Sequence, residues 1–192
     1  MKNIFRLIVT TLILASCAGP AKVEWIENPT TKQKVCTMNR SNIWSSIGPG
    51  RPNFLGNLRL EKKSGNQVTG VFEGGSSGLF SVSLLPNSSL RFEITKDNIK
   101  EEINIPYLNL NNKSSVGFTF PLVYTNWQSY VEFNFTIEQI KKIGLSDECI
   151  AILKTSGDDI PKKFTVQNYD RFKLFLDGCY GIKLLPQKDM PK

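Results

Sequence analysis

The sequence predicts a mainly β fold, an antiparallel β-sandwich or barrel-like meander followed by two short C-terminal helices. Three observations carry that expectation. Apolar residues recur with period two through the middle of the chain, as in Leu90, Phe92 and Ile94 against Arg91, Glu93 and Thr95. Breaks bearing Gly, Asn or Pro interrupt this alternation about every ten residues, the spacing of short strands joined by turns. In the last third the period lengthens to that of helices, around Ile137, Ile140 and Ile143 and again around Phe172, Phe175 and Leu176.

Lys22 to Glu27 and Lys34 to Met38 are expected as the first strands, and Arg40 to Asn53 as a Ser/Gly/Pro-rich loop. Leu58 and Leu60 then alternate with Arg59 and Glu61, Ser64-Gly65-Asn66 turns the chain, and Val68 to Glu73 returns. Gly74 to Gly78 reads as a break, Phe80, Val82 and Leu84 as the next strand, and Pro86-Asn87 as a turn. After Leu90, Phe92 and Ile94, Lys96-Asp97-Asn98 leads to a strand holding Ile103 and Ile105. Val116, Phe118, Phe120 and Leu122 read as one further strand, and Val131, Phe133 and Phe135 as another, with the phenylalanines in the core. Thr136 with Gln139 is a capping box that opens a helix, and Gly144 ends it. Cys149 to Lys154 and Lys163 to Gln167 form a hairpin with its tip at Thr155 to Asp159. A second helix is expected from Asp170 to Gly178.

The start of the chain has a different character. Lys2 and Arg6 accompany a short apolar run, Ile4 to Leu14, which Leu14-Ala15-Ser16-Cys17 closes. That order is a secretory signal, and the run is about half the ~20 residues a spanning helix needs. Leu-Ala-Ser-Cys resembles the lipobox of bacterial lipoproteins, whose cysteine is acylated and becomes the mature N-terminus. The resemblance implies a signal peptide over 1–16, lipidation at Cys17 with palmitate among the acyl groups, and a lipid anchor in the bacterial cell envelope. Ala18 after the cysteine implies passage to an outer membrane where the cell has one. Residues 17–22 would then be a tether, 23–185 a single β-rich domain and 186–192 a tail.

The net charge of +7 includes Lys2 and Arg6, leaving +5 scattered over the rest of the chain. Such an excess suits a solvated surface, or attraction to anionic headgroups and envelope polymers near an anchor. Outside the cytoplasm nucleic acid is not an expected partner. The chain contains no histidine, which excludes Ser-His-Asp and Cys-His catalysis and His-ligated metal sites. The neighbouring carboxylates Glu101-Glu102, Asp147-Glu148 and Asp158-Asp159 point to opposite faces of a strand or serve a turn. They also supply too few oxygens for calcium. No catalytic residue, metal or cofactor is expected.

With Cys17 assigned to lipid, an export route allows disulfides among Cys36, Cys149 and Cys179. Cys149 opens an apolar strand and is expected to be a buried, inert thiol. A last helix running back along the hairpin carries Cys179 about 15 Å from Cys149, beyond the ~7 Å span of a disulfide. Cys36–Cys179 is therefore the expected pair, with a bond from the odd thiol to a partner left open.

For recognition the segment from Arg40 to Phe54 stands out. Trp44, Ile47, Arg51 and Phe54 place apolar area and a guanidinium among Ser, Gly and Pro, and Trp and Arg dominate interface energies. The other reading of Trp44 is a ring folded back over the sandwich end. Trp25 and Trp127 are expected in core or edge packing.

Trp25, Cys36-Thr37, a β meander, Phe133-Asn134-Phe135, Ile137 to Ile143, Cys149 to Leu153, Lys163-Phe164-Thr165-Val166 and Asp170 through Cys179 follow one another in that order. Over most of the mature chain this pattern resembles the invasion-associated locus B family of secreted bacterial proteins. The resemblance implies an envelope β-rich domain without known catalytic residues, linked in pathogens to host-cell interaction. The expected function is a monomeric, membrane-anchored binding or structural module with a protein or envelope-polymer partner. The alternative is a carboxylate-dependent enzyme or inhibitor acting on cell-wall polymers. A cleft with two carboxylates of raised pKa favours the enzyme, and an exposed apolar patch at Trp44 favours the binding module.

Overall fold

Residues 21–27, 32, 34–39, 41–46, 53–62, 67–78, 81–119 and 122–184 are described in the computed structural model. Their alternating segments form β1 (Val23–Glu27), β2 (Lys34–Met38), β3 (Ser41–Ser46), β4 (Asn53–Lys62), β5 (Gln67–Gly78) and β6 (Ser89–Lys96). The chain continues through β7 (Ile99–Pro106), β8 (Leu108–Thr119), β9 (Leu122–Thr136), helix α1 (Ile137–Gly144), β10 (Glu148–Leu153), β11 (Ile160–Lys163) and helix α2 (Val166–Tyr180). The larger sheet runs β1-β2-β4-β5-β9-β8, with β3 paired to β4 beyond the end of β2. The smaller sheet runs β11-β10-β6-β7. All pairings are antiparallel, and neither sheet closes into a barrel.

Alternation decides which face each sheet buries. Phe72, Val131, Phe133 and Phe135 of the larger sheet share one hydrophobic cluster with Leu90, Phe92, Ile103, Ala151 and Leu153 of the smaller. Ile140 and Ile143 of α1 and Phe172, Phe175 and Leu176 of α2 complete that cluster. The result is a β-sandwich-like arrangement with the two helices packed on its core. Each fully buried Phe or Leu contributes about 1.5–3 kcal/mol of hydrophobic stabilisation before entropy is charged against it.

The turn and cap chemistry follows the sequence closely at two places. Asp97 and Asn98 adopt φ of 50° and 64° in the two-residue link that pairs Lys96 with Ile99, the left-handed backbone that such hairpins require. Thr136 Oγ1 accepts from the Gln139 N–H at 3.1 Å while Gln139 Oε1 accepts from the Thr136 N–H at 2.9 Å, so the capping box forms. The disulfide joins Cys36 to Cys179 with their Cα atoms 5.7 Å apart. Cys149 is a free, buried thiol, and burial pushes its pKa up to about 12.

Elsewhere the structure corrects the reading. The expected loop from Arg40 to Asn53 contains β3, because Ser41 to Ser46 find the open edge of β4. Gly74 to Gly78 is no break: β5 runs straight through it, paired on both sides to Gly56 and Leu55 and to Ser129 and Gln128. Val82 and Leu84 do not form a strand, and Leu84 makes only an isolated bridge to Thr155. Val116 to Leu122 is two strands, with Thr119 of β8 paired to Leu122 of β9. Helix α2 starts earlier than Asp170, since Asn168 Oδ1 accepts from the Thr165 N–H at 2.9 Å and so caps the turn before it. It ends later than Gly178, at Gly181, whose φ of 67° is the left-handed stop. At fifteen residues it is a full-length helix rather than a short one.

Candidate functional site

Strands β4, β5, β9 and β8 lie side by side, and the residues on their outward face follow from register. One row is Asn57, Glu73, Tyr130 and Asn111, the next Leu55, Gly75, Gln128 and Lys113, and the third brings Ser77, Asn126 and Ser115 together. These residues line a groove of about 970 Å³. Successive rows are about 7 Å apart along the strands, and neighbouring strands about 4.8 Å apart. The groove is therefore broad and shallow, with a floor of sheet.

Two sequence features shape it. Gly75 sits at its centre between Leu55 and Gln128; a Cβ there would come 2.5 Å from the Trp127 carbonyl oxygen, so bare backbone forms the floor. In β8 an extra residue lies between the pairs Leu108–Glu132 and Asn111–Tyr130, and Asn109 takes a φ of 50°. This bulge resets the alternation, which puts Asn111, Lys113 and Ser115 outward and turns Asn112 inward.

The inward side of the same rows is pinned. Asn112 Nδ2 donates to the Leu84 carbonyl at 2.9 Å, and Ser129 Oγ donates to Asn112 Oδ1 at 2.7 Å. Ser76 Oγ both donates to the Val82 carbonyl and accepts from the Val82 N–H, each at 2.7 Å. The segment at Val82 and Leu84, displaced from strand geometry, thus buttresses the floor.

Outward, the chemistry is different. Among the described residues, no side-chain hydrogen bond or ion pair engages Asn57, Ser77, Asn111, Lys113, Ser115, Asn126 or Gln128. Tyr130 is 36% exposed and donates to Glu132 Oε1 at 3.1 Å, and Leu55 is 50% exposed. Burial, with Glu132 close by, raises the Tyr130 pKa, so the ring stays neutral at physiological pH. The lining holds one carboxylate, Glu73, and one cation, Lys113, and Glu132 stands one row along on the same face of β9. The amides and hydroxyls of the four strands are equipped to hold a polar ligand.

The residues expected to recognise a partner lie elsewhere. Trp44 is 0% exposed, edge-on to Phe72 with ring centroids 5.6 Å apart, and its Nε1–H donates to the Ala151 carbonyl at 3.3 Å across to the smaller sheet. Phe54 is 1% exposed and stacks on Phe72 at 6.1 Å. Both are core residues with no face left for a partner, which corrects the expectation of a binding patch at Trp44 and Phe54. Alternation in β3 and β4 points both inward. Ile47, Arg51 and Cys17, the expected lipidation residue, lie outside the described residues. Trp25 is exposed at the edge of the larger sheet, with Lys62 Nζ 5.8 Å from its ring centre.

The three carboxylate pairs serve local contacts. Glu101 meets Lys142 at 2.6 Å, Glu148 meets Lys163 at 2.8 Å, and Asp159 meets Lys154 at 2.7 Å. The Lys163 ammonium holds the Glu148 carboxyl below its usual pKa. Among the described residues no three His, Cys, Asp or Glu side chains gather as metal ligands, and no helix is long and apolar enough to cross a membrane.

Sequence reasoning missed the groove because it looked for apolar and charged residues on a loop. The signal lay in strands that bury one face and alternate amides on the other, as in Asn126, Gln128 and Tyr130 against Trp127, Ser129 and Val131. Neither the protein-family models nor the curated proteins contain a match to this chain.

Proposed function

We propose that the protein is a lipid-anchored bacterial envelope module, held in the outer membrane through acylated Cys17, that binds a polar envelope polymer in the groove of β4, β5, β9 and β8. The observation that carries the binding role is the set of side chains facing the groove with no internal hydrogen-bond partner among the described residues. Amides and hydroxyls held at fixed register on a braced sheet are preorganised, so little ordering cost is added when a ligand docks. The lipobox-like start supports the anchor, and the resemblance to the invasion-associated locus B family suggests an envelope setting with contact to host cells as one use of it.

Fractionation tests both halves. The full chain is expected to sediment with membranes and to be retained on purified envelope material. Cys17→Ser releases it from membranes and leaves retention on the envelope polymer intact. The double change Asn126→Ala, Gln128→Ala abolishes that retention while membrane association persists. Unchanged retention in the double variant, with the fold intact by circular dichroism, removes the groove from the proposal. An N-terminus without acyl mass removes the anchor.

A further inference from the structure

We infer that the groove takes an N-acetylated glycan strand, an inference that rests on the binding role just proposed and names its ligand. The lining decides the class. Asn57, Asn111, Asn126 and Gln128 each present both a donor and an acceptor, the complement of an acetamido group, which also carries one N–H and one carbonyl. Ser77 and Ser115 add hydroxyls suited to sugar hydroxyls. A strongly charged polymer fits poorly, because Lys113 and Glu73 place one charge of each sign in the same lining.

The apolar elements fit the same ligand. Leu55 is exposed in an otherwise polar groove, directly beside the bare backbone of Gly75. Between them they form an apolar step with a flat floor, where an acetyl methyl packs on the isobutyl group. Tyr130 stands one row away on the neighbouring strand, with its ring face available to the apolar face of a pyranose and its hydroxyl tied to Glu132. An extended peptide lying across this face would find the backbone groups of β4, β5 and β9 already paired. It would have to be recognised there by side chains alone, since the open edge of the sheet is the outer side of β8, beside the groove. A glycan needs no such edge.

The test is calorimetric titration of detergent-solubilised full-length protein with a β-1,4-linked hexamer of N-acetylglucosamine, against the glucose hexamer of the same linkage. Saturable binding of the acetylated hexamer is expected, at least about tenfold tighter than the glucose hexamer, the scale of one lost hydrogen bond. Tyr130→Ala and Gln128→Ala are each expected to weaken it about tenfold, and Lys100→Ala, on β7 of the other sheet, to leave it unchanged. Equal affinity for the two hexamers overturns the acetamido assignment. Binding that survives both groove variants, with their circular dichroism unchanged, overturns the site. If neither hexamer binds while envelope retention still depends on Asn126 and Gln128, the glycan inference fails and the binding module stands. If the acetylated hexamer binds in the groove but the envelope does not retain the chain, the ligand class holds and the proposed cellular role falls.

Discussion

Trp44 is where one residue joins two sheets. Its ring packs on Phe72 of its own sheet and its indole N–H reaches the Ala151 carbonyl of the other. Replacing it with alanine opens a cavity and removes the hydrogen bond between the sheets, so Trp44→Ala should cost about 3–5 kcal/mol in urea unfolding, with glycan affinity in the folded fraction unchanged. A loss below about 1 kcal/mol would contradict its place in the core. Cys149 gives a prediction with a defined sign. Its folded pKa is raised by burial from 9.0 to about 12. Below the lower value both folded and unfolded chains keep the proton. Between the two the unfolded chain alone loses it, so stability falls as pH rises through that window, by up to about 1.4 kcal/mol per pH unit. Cys149→Ala should flatten the decline between about pH 9 and 11, leaving the contribution of Tyr107, whose pKa burial also raises. At this scale much was legible: the inert Cys149 and the core phenylalanines follow from alternation. Trp44 was less so, since a tryptophan among Ser and Gly reads as a ring folded over the sandwich end or as a surface anchor, and burial bears out the first.

Helix α2 shows what an element draws from its neighbours. It carries no basic residue in its last turn, yet Lys62 of β4 donates to the Cys179 carbonyl at 2.9 Å and lies 4.3 Å from the centre of the Tyr180 ring. A cation from another strand thus faces the negative helix end. Arg171, half a helix away, donates from Nη1 to Asn39 Oδ1 at 3.1 Å and so ties α2 to the corner between β2 and β3. Gly178 lets the same helix approach β1, because a Cβ there would stand 2.8 Å from Val23 Cγ1. Gly178→Val should therefore push α2 from β1 and lower stability by about 1–3 kcal/mol, which a thermal scan reads directly. Local signals set the existence of both helices, and the Thr136–Gln139 box fixed the start of α1. They misplaced the ends of α2 because Asp170 and Gly178 look like a cap and a stop, while Thr165, Asn168 and Gly181 do the capping. The glycine-rich part of β5 was read as a break for a similar reason. Its place in the sheet comes from long-range pairing with β4 and β9, which overrides the low strand propensity of glycine.

At the scale of the whole molecule, the sandwich-like class was legible and the candidate binding face was not. Class follows from the period of the pattern, which any one strand displays. The groove depends on four strands arriving in register, on one bulge at Asn109 and on Gly75, and no local window of sequence contains all of these. The covalent closure was legible, because Cys149 opens an apolar strand and the last helix carries Cys179 away from it, which leaves Cys36 and Cys179 as the preferred pair. Cys36→Ser should lower unfolding free energy by about 4–5 kcal/mol on the chain-entropy model, and the further change Cys179→Ser should add little. Non-reducing peptide mapping that placed Cys149 in a crosslink would contradict the structure.

That closure also determines how the protein bears load. Force entering at β1 can peel only the stretch up to Cys36 before it meets the covalent link, which carries it straight to the end of α2 across 143 residues of sequence. Stretched between positions 21 and 184, the oxidised molecule should lengthen by about 70 Å and then stop, whereas the reduced one should pay out more than about 500 Å. The ladder that builds the groove lies wholly inside the closed loop, so a pull between positions 21 and 184 bypasses it through the disulfide rather than unzipping it.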